Sequence, residues 1–161
     1  MAEPGQNRKI AALRSSKCVY LFYLGDYMNK YMELALKEAK KSLKTDDVPI
    51  GAVIVENSRV ISKGHNTREK THLITRHAEI NAIEKACKKK KTWHLDDCIL
   101  YVTLEPCKMC IEVIKQARIK QVIYGAKQEK KSNLKDPILI QMENVENSSK
   151  LLKNFFKSKR K

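Results

Sequence analysis

From Met28 to Lys44 the apolar residues Met28, Met32, Ala35, Leu36, Ala39 and Leu43 recur every three or four positions, with lysines and glutamates between them. That period predicts an amphipathic helix. After Asp46 and Asp47 it gives way to a run rich in β-branched residues, Val48 to Val55, which reads as a strand buried on both faces. Glu56-Asn57-Ser58-Arg59 then forms a tight connection to a returning strand at Val60-Ile61, a β-hairpin. A polar loop from Gly64 to Arg76 leads to Ile80, Ile83, Ala86 and Cys87 at helical spacing, so a second helix begins near His77.

Cys98 to Leu104 is another buried-strand run. Pro106 stands at a strand-to-helix junction, suited to opening the helix of Cys107 to Arg118. A short apolar strand follows at Gln121 to Ala126, then a candidate edge strand at Ile138 to Met142. Leu151, Leu152, Phe155 and Phe156 mark a last amphipathic helix with a basic tail. Helix, strand, strand, helix, strand, helix, strand is the order of an α/β fold in which crossover helices join parallel strands. Both helices that follow strands should therefore start at one edge of the sheet. Residues 1–27 fit none of these patterns and are read as an N-terminal extension to a domain over 28–161. Their apolar stretch, Cys18 to Leu24, is short for a secretory signal.

Charge narrows the function classes. The 161 residues carry 33 Lys and Arg against 18 Asp and Glu, a net charge of +15. No apolar run approaches the roughly 18 uncharged residues of a membrane span. The excess points to a polyanionic or acidic partner and is silent on fold. Five cysteines, an odd number without regular spacing, suit a reducing compartment, and the cytoplasm is the expected location. Only Cys107 and Cys110 have metal-type spacing.

Two segments carry chemistry: His77-Ala78-Glu79 at the start of the second helix, and Pro106-Cys107-Lys108-Met109-Cys110 at the start of the third. Two thiolates on one helical turn and one imidazole suit a borderline-soft dication such as zinc, at bond lengths of roughly 2.3 Å to sulfur and 2.0–2.1 Å to nitrogen. Helix N-termini favour thiolates there. Neither segment offers a fourth Cys or His, so the fourth tetrahedral position is left for water, unlike a closed structural site. Glu79, two residues from His77, projects beside the ion and is placed to carry protons. H-x-E followed by P-C-x-x-C is the known signature of zinc nucleobase deaminases. His65, His72 and His94 lie outside it and read as ordinary loop histidines.

On these residues the sequence resembles the cytidine deaminase-like superfamily, and within it the tRNA-specific adenosine deaminases. The resemblance runs from about Tyr31 to Ala126, through Val48–Val53, Gly64–Asn66, His77–Ile80 and Tyr101–Cys110, and resumes at Phe155–Lys161. It implies a three-layer α/β/α fold with a mixed central sheet of about five strands. It also implies one zinc per subunit on His77, Cys107 and Cys110, and proton transfer by Glu79. A flipped adenosine would be hydrogen-bonded by Asn66 and walled by Val48 and Leu104. The implied reaction is adenosine to inosine at the wobble position of a tRNA anticodon stem-loop, an arginine tRNA being expected, in a homodimer. The chain departs from the family at Leu73-Ile74-Thr75-Arg76, at Gln128 and in the loop to Pro137, all at the rim where RNA would lie.

Lys88 to Lys91, Lys127 with Lys130 and Lys131, and the C-terminal cluster are candidate phosphate contacts. Lys157, Lys159 and Arg160 are preferred, on a helix anchored by Phe155 and Phe156. Two other readings stay open on the residues: a deaminase of free cytidine, dCMP or guanine, and a non-catalytic RNA-binding protein with a structural zinc.

Overall fold

A computed structural model describes residues 17–128, 139–141 and 146–160, with only the backbone of residues 17–29 and Gln141. Residues 1–16, Lys130 and Lys131, most of the loop to Pro137, Ile138, Met142 and Lys161 lie outside the described residues. The chain divides into two compact units, Met1–Tyr31 and Met32–Lys161. Helix α1 spans Lys17–Ser42, starting at Lys17 rather than at Met28 where the apolar period begins, and a 3-10 turn over Leu43–Thr45 ends it.

In the second unit, β1 (Gly51–Glu56) and β2 (Arg59–His65) form the expected antiparallel hairpin. Asn57 and Ser58 both take left-handed φ values of 48° and 61°, the type I′ geometry whose twist matches paired strands. β2 runs four residues beyond Ile61, and the register skips Ile61, a bulge opposite the Ile54–Val55 step. A one-turn helix α2 (Arg68–Thr71) interrupts the polar loop before α3 (Ala78–Lys90). Then come β3 (Cys98–Leu104), α4 (Lys108–Gln116), β4 (Gln121–Ala126), β5 (Leu139–Gln141) and α5 (Glu146–Lys159).

The sheet order is β2-β1-β3-β4-β5, with β1 antiparallel to both neighbours and β3, β4 and β5 parallel. Alternation along the strands separates two faces. Ala52, Ile54, Leu100, Val102, Val122 and Tyr124 pack in one buried cluster with Ala78, Ala82, Ala86, Cys110 and Ile114 of α3 and α4. On the other face Gly51 meets the backbone of Ala35 and Ala39 in α1, and Gly125 meets Ser148 of α5. The result is three layers, helices on both sides of a mixed five-stranded sheet. In α5 the buried anchors are Ser148 and Leu152, whereas Phe156 is 47% exposed, so the expected Phe155–Phe156 anchor is displaced one turn toward the N-terminus.

Because β1 runs against β2, β3 and β4, its start lies at the same sheet edge as their ends. The residues before Gly51 and those after His65, Leu104 and Ala126 all gather at that edge, where α3 and α4 also begin.

Candidate active site

His77 is the N-cap of α3 and Cys107 the N-cap of α4, both with extended backbone, φ −76° and −74°. Pro106 therefore precedes the cap instead of occupying the first helical turn. Each cap carbonyl takes the first helical bond, Asn81 N to His77 O at 3.0 Å and Ile111 N to Cys107 O at 2.9 Å. Asn81 Nδ2 donates to His65 O at 2.8 Å and to Thr67 Oγ1 at 3.0 Å. These bonds tie the approach to α3 to the end of β2.

His77 Nδ1 lies 3.4 Å from Cys110 Sγ and 3.7 Å from Cys107 Sγ. Tetrahedral bonds of roughly 2.3 Å to sulfur and 2.05 Å to nitrogen place those atoms about 3.6 Å apart. The donor set thus fits a zinc ion bound through Nδ1, and it is the one such group of His, Cys, Asp or Glu among the described residues. Hydrogen bonds from the Cys110 thiol and from His77 pull the Cys107 thiol down to about 4. The same bond to Cys107, with burial, pushes Cys110 up. The bond to Cys107 also raises the His77 imidazole. Three groups sharing protons in this way form an arrangement in which one dication replaces the shared protons.

Glu79 is 4% exposed, and burial pushes its carboxyl up to about 7. It lines a cavity of about 230 Å³ with His77, Cys107, Asn66, Val48 and Leu104. Asn66 is fixed from several sides: its N–H donates to Ile50 O at 3.0 Å and its Nδ2 to Val48 O at 3.2 Å. Ser42 Oγ donates to its carbonyl at 2.8 Å. Ile50, Arg68, Glu69, Glu105 and Gln128 complete the lining. Sequence reasoning assigned no role to Ile50, Arg68, Glu69 and Glu105, and placed Gln128 only as a departure at the RNA rim; the signal that could have found them is adjacency to the edge, since each lies within four residues of a strand end. Gln128 and Glu105 are interlocked, Gln128 N to Glu105 Oε2 at 3.1 Å and Gln128 Nε2 to Glu105 O at 2.9 Å.

The remaining candidates lie elsewhere. Lys157, Lys159 and Arg160 are exposed on or just after α5, and Lys159 is paired with Asp46 and lies over the Phe155 ring. In the Lys88–Lys91 cluster, Lys89 Nζ donates to Ile61 O and Lys90 pairs with Glu56. His65 ends β2, with Nδ1 3.5 Å from Glu38 Oε2 but not aligned for a hydrogen bond. Among the described residues no helix is long and apolar enough to cross a membrane.

The family described as MafB19-like deaminase matches residues 27–160. A tRNA-specific adenosine deaminase from Aquifex aeolicus is 39% identical over 142 residues, covering 81% of this chain and 94% of the relative. The chain spans 60% and 63% of the length of other curated relatives that it matches at 47% and 48% identity. A solved structure from studies of A-to-I editing by tRNA:A34 deaminases at the wobble position superposes with a TM-score of 0.70 at 36% identity. That match covers 77% of this chain and 99% of that one. The guanine deaminase of Bacillus subtilis superposes with a TM-score of 0.59 at 40% identity, over 62% of this chain and 64% of that one.

Proposed function

Since the chain belongs to the MafB19-like deaminase family, we propose that it is a zinc-dependent tRNA-specific adenosine deaminase, converting adenosine to inosine at the wobble position of the anticodon. The observation that carries this reading is the grouping of His77 Nδ1 with both thiols, beside a cavity lined by His77, Cys107 and the buried Glu79 and walled by Asn66, Val48 and Leu104. Zinc held by His77, Cys107 and Cys110 would supply Lewis acidity and a water made acidic enough to lose a proton near neutral pH. Glu79 takes one proton from the attacking water and delivers it to N1 as the water oxygen bonds to C6, then passes the remaining proton of that C6 hydroxyl to the amine, which leaves as ammonia when the C6–N bond breaks. Asn66 hydrogen-bonds the base, while Val48 and Leu104 exclude water from its faces. An anticodon loop base is already unpaired, so extrusion costs little.

Lys157 and Arg160, with Lys159 where RNA competes with Asp46, would contact phosphates. A homodimer in the cytoplasm acting on an arginine tRNA completes the reading, of which the relatives' names and the net charge of +15 support the tRNA substrate. A second reading, deamination of a free base, is favoured by the Bacillus subtilis guanine deaminase superposition and by a cavity sized for one base.

One assay separates them. Zinc-loaded protein is incubated with an arginine tRNA transcript bearing adenosine at the wobble position, with free adenosine, cytidine and guanine in parallel. Inosine at that position alone supports the tRNA reading, and ammonia released only from a free base or nucleoside overturns it.

A further inference from the structure

Asp47 is fully buried and immediately precedes Val48, a wall of the cavity. Its Oδ1 accepts the Glu69 N–H at 2.6 Å, and its Oδ2 accepts the Lys70 N–H at 3.3 Å and the Thr45 hydroxyl at 2.6 Å. The Arg68 N–H is taken by Asn66 Oδ1 at 3.4 Å. Two side chains thus satisfy the first three amides of α2, a helix of one turn that could not stand unaided. Arg68 and Glu69 line the cavity, and Asn66 opens the same segment. A single dipeptide grips both ends of this rim: the Val48 carbonyl holds Asn66, and the Asp47 carboxylate holds Glu69 and Lys70.

We propose that Asp47 is a positioning residue for the substrate cavity, fixing the Asn66–Lys70 rim so that the base is received in one orientation. This rests on the deaminase reading above for its kinetic test. Asp47 touches neither the His77, Cys107 and Cys110 group nor Glu79 in any recorded hydrogen bond, so its loss should weaken substrate capture and spare the chemical step. An ionised carboxylate is acceptor-only and matches three donors, whereas an amide has one oxygen and turns its NH2 toward the others.

The test compares D47N, T45V and S62A with the wild type, all as zinc-loaded full-length protein. Ser62 is a control, since its hydroxyl donates to Ala82 O at 2.7 Å, away from the cavity lining. D47N should raise KM for the wobble-adenosine tRNA about tenfold with kcat within about twofold, the signature of lost binding common to ground and transition states. T45V, which removes one donor and keeps the carboxylate, should move KM the same way by about threefold, and S62A should leave it unchanged. Independently of turnover, amide hydrogen exchange at residues 68–71 should quicken about tenfold in D47N and not in S62A. An unchanged KM with unchanged exchange, a fall in kcat at constant KM, or an equal KM shift in S62A would each overturn the proposal. If the wild type deaminates nothing, the functional reading fails instead, and the exchange arm alone decides the role of Asp47.

Discussion

At Gly64 the fold leaves no room for a side chain beside the helix that begins at His77. It lies on β2 where α3 crosses, and a Cβ there would stand 2.4 Å from the Ala78 carbonyl oxygen and 2.6 Å from Ala82 N. Its φ is not left-handed, so space alone demands glycine. Comfortable contacts lie at about 3.5 Å, and the helix backbone has no flexible tip to swing aside, so G64A must push α3 back by about 1 Å. Overpacking of this severity costs about 3 kcal/mol, or about 6–12 °C in Tm for a domain of this size. The displaced helix begins at His77. Its Nδ1, now 3.4 and 3.7 Å from the two sulfurs, would move beyond the spacing of about 3.6 Å that a shared ion requires. G64A should therefore lose zinc to a competing chromophoric chelator at concentrations that leave the wild type loaded, and lose the Tm increase that zinc confers. G125A supplies the comparison: its Cβ would meet Ser148 Oγ at 2.6 Å and Thr103 O at 2.9 Å on the opposite face, so it should lower Tm without loosening zinc. Wild-type zinc retention in G64A, with Tm within about 2 °C, would refute the reasoning.

Three further outcomes follow from the site and its supports. E79Q should keep zinc content and tRNA affinity, read by metal analysis and filter binding, while turnover falls by about 10²–10⁴. C110S, at a fully buried position, should fold yet retain little zinc after dialysis, because an alcohol is a far poorer ligand than a thiolate. Burial lowers the His65 pKa, its largest cause, against a raising contribution from Glu38. The unfolded state then binds more protons below about pH 6.5, so stability falls as pH drops from there through the lowered folded value. Urea titrations from pH 7 to 5 should show a shallower decline in H65Q.

Much of this architecture was legible because its signals are local. The β-branched run before Asn57 and the two polar residues of the turn specified the hairpin, and the bounds of β4, Gln121–Ala126, coincide with its apolar run. The junctions carrying a histidine and a cysteine pair placed both helix starts to within one residue, with His77 and Cys107 as the N-caps and Cys110 in the first turn of α4. What escaped was set by tertiary contact. Asp47 looks like a loop acid until Glu69 and Lys70 are folded against it. The helix α2 has no periodicity of its own, and its formation depends on that distant carboxylate. The C-terminal anchor shifted because Gly125 leaves room for Ser148, a polar residue that no hydrophobic pattern would select.

The mixed sheet also divides the domain into an edge that must stay as it is and an edge free to vary. Every residue of the cavity lies at the edge where β1 starts and β2, β3 and β4 end. The opposite edge carries the Asn57–Ser58 turn, the Lys91–Asp97 connection and the turn at Arg118. Four of the six left-handed non-glycine residues of the described chain sit there: Asn57, Ser58, Lys91 and Arg118. Glycine at these points would relieve backbone strain of about 1 kcal/mol each, and exposed turns of this kind accept insertions most readily. A tag, a fusion partner or an evolutionary insertion is therefore best accommodated at Asn57–Ser58, the far end of the hairpin from the reacting groups.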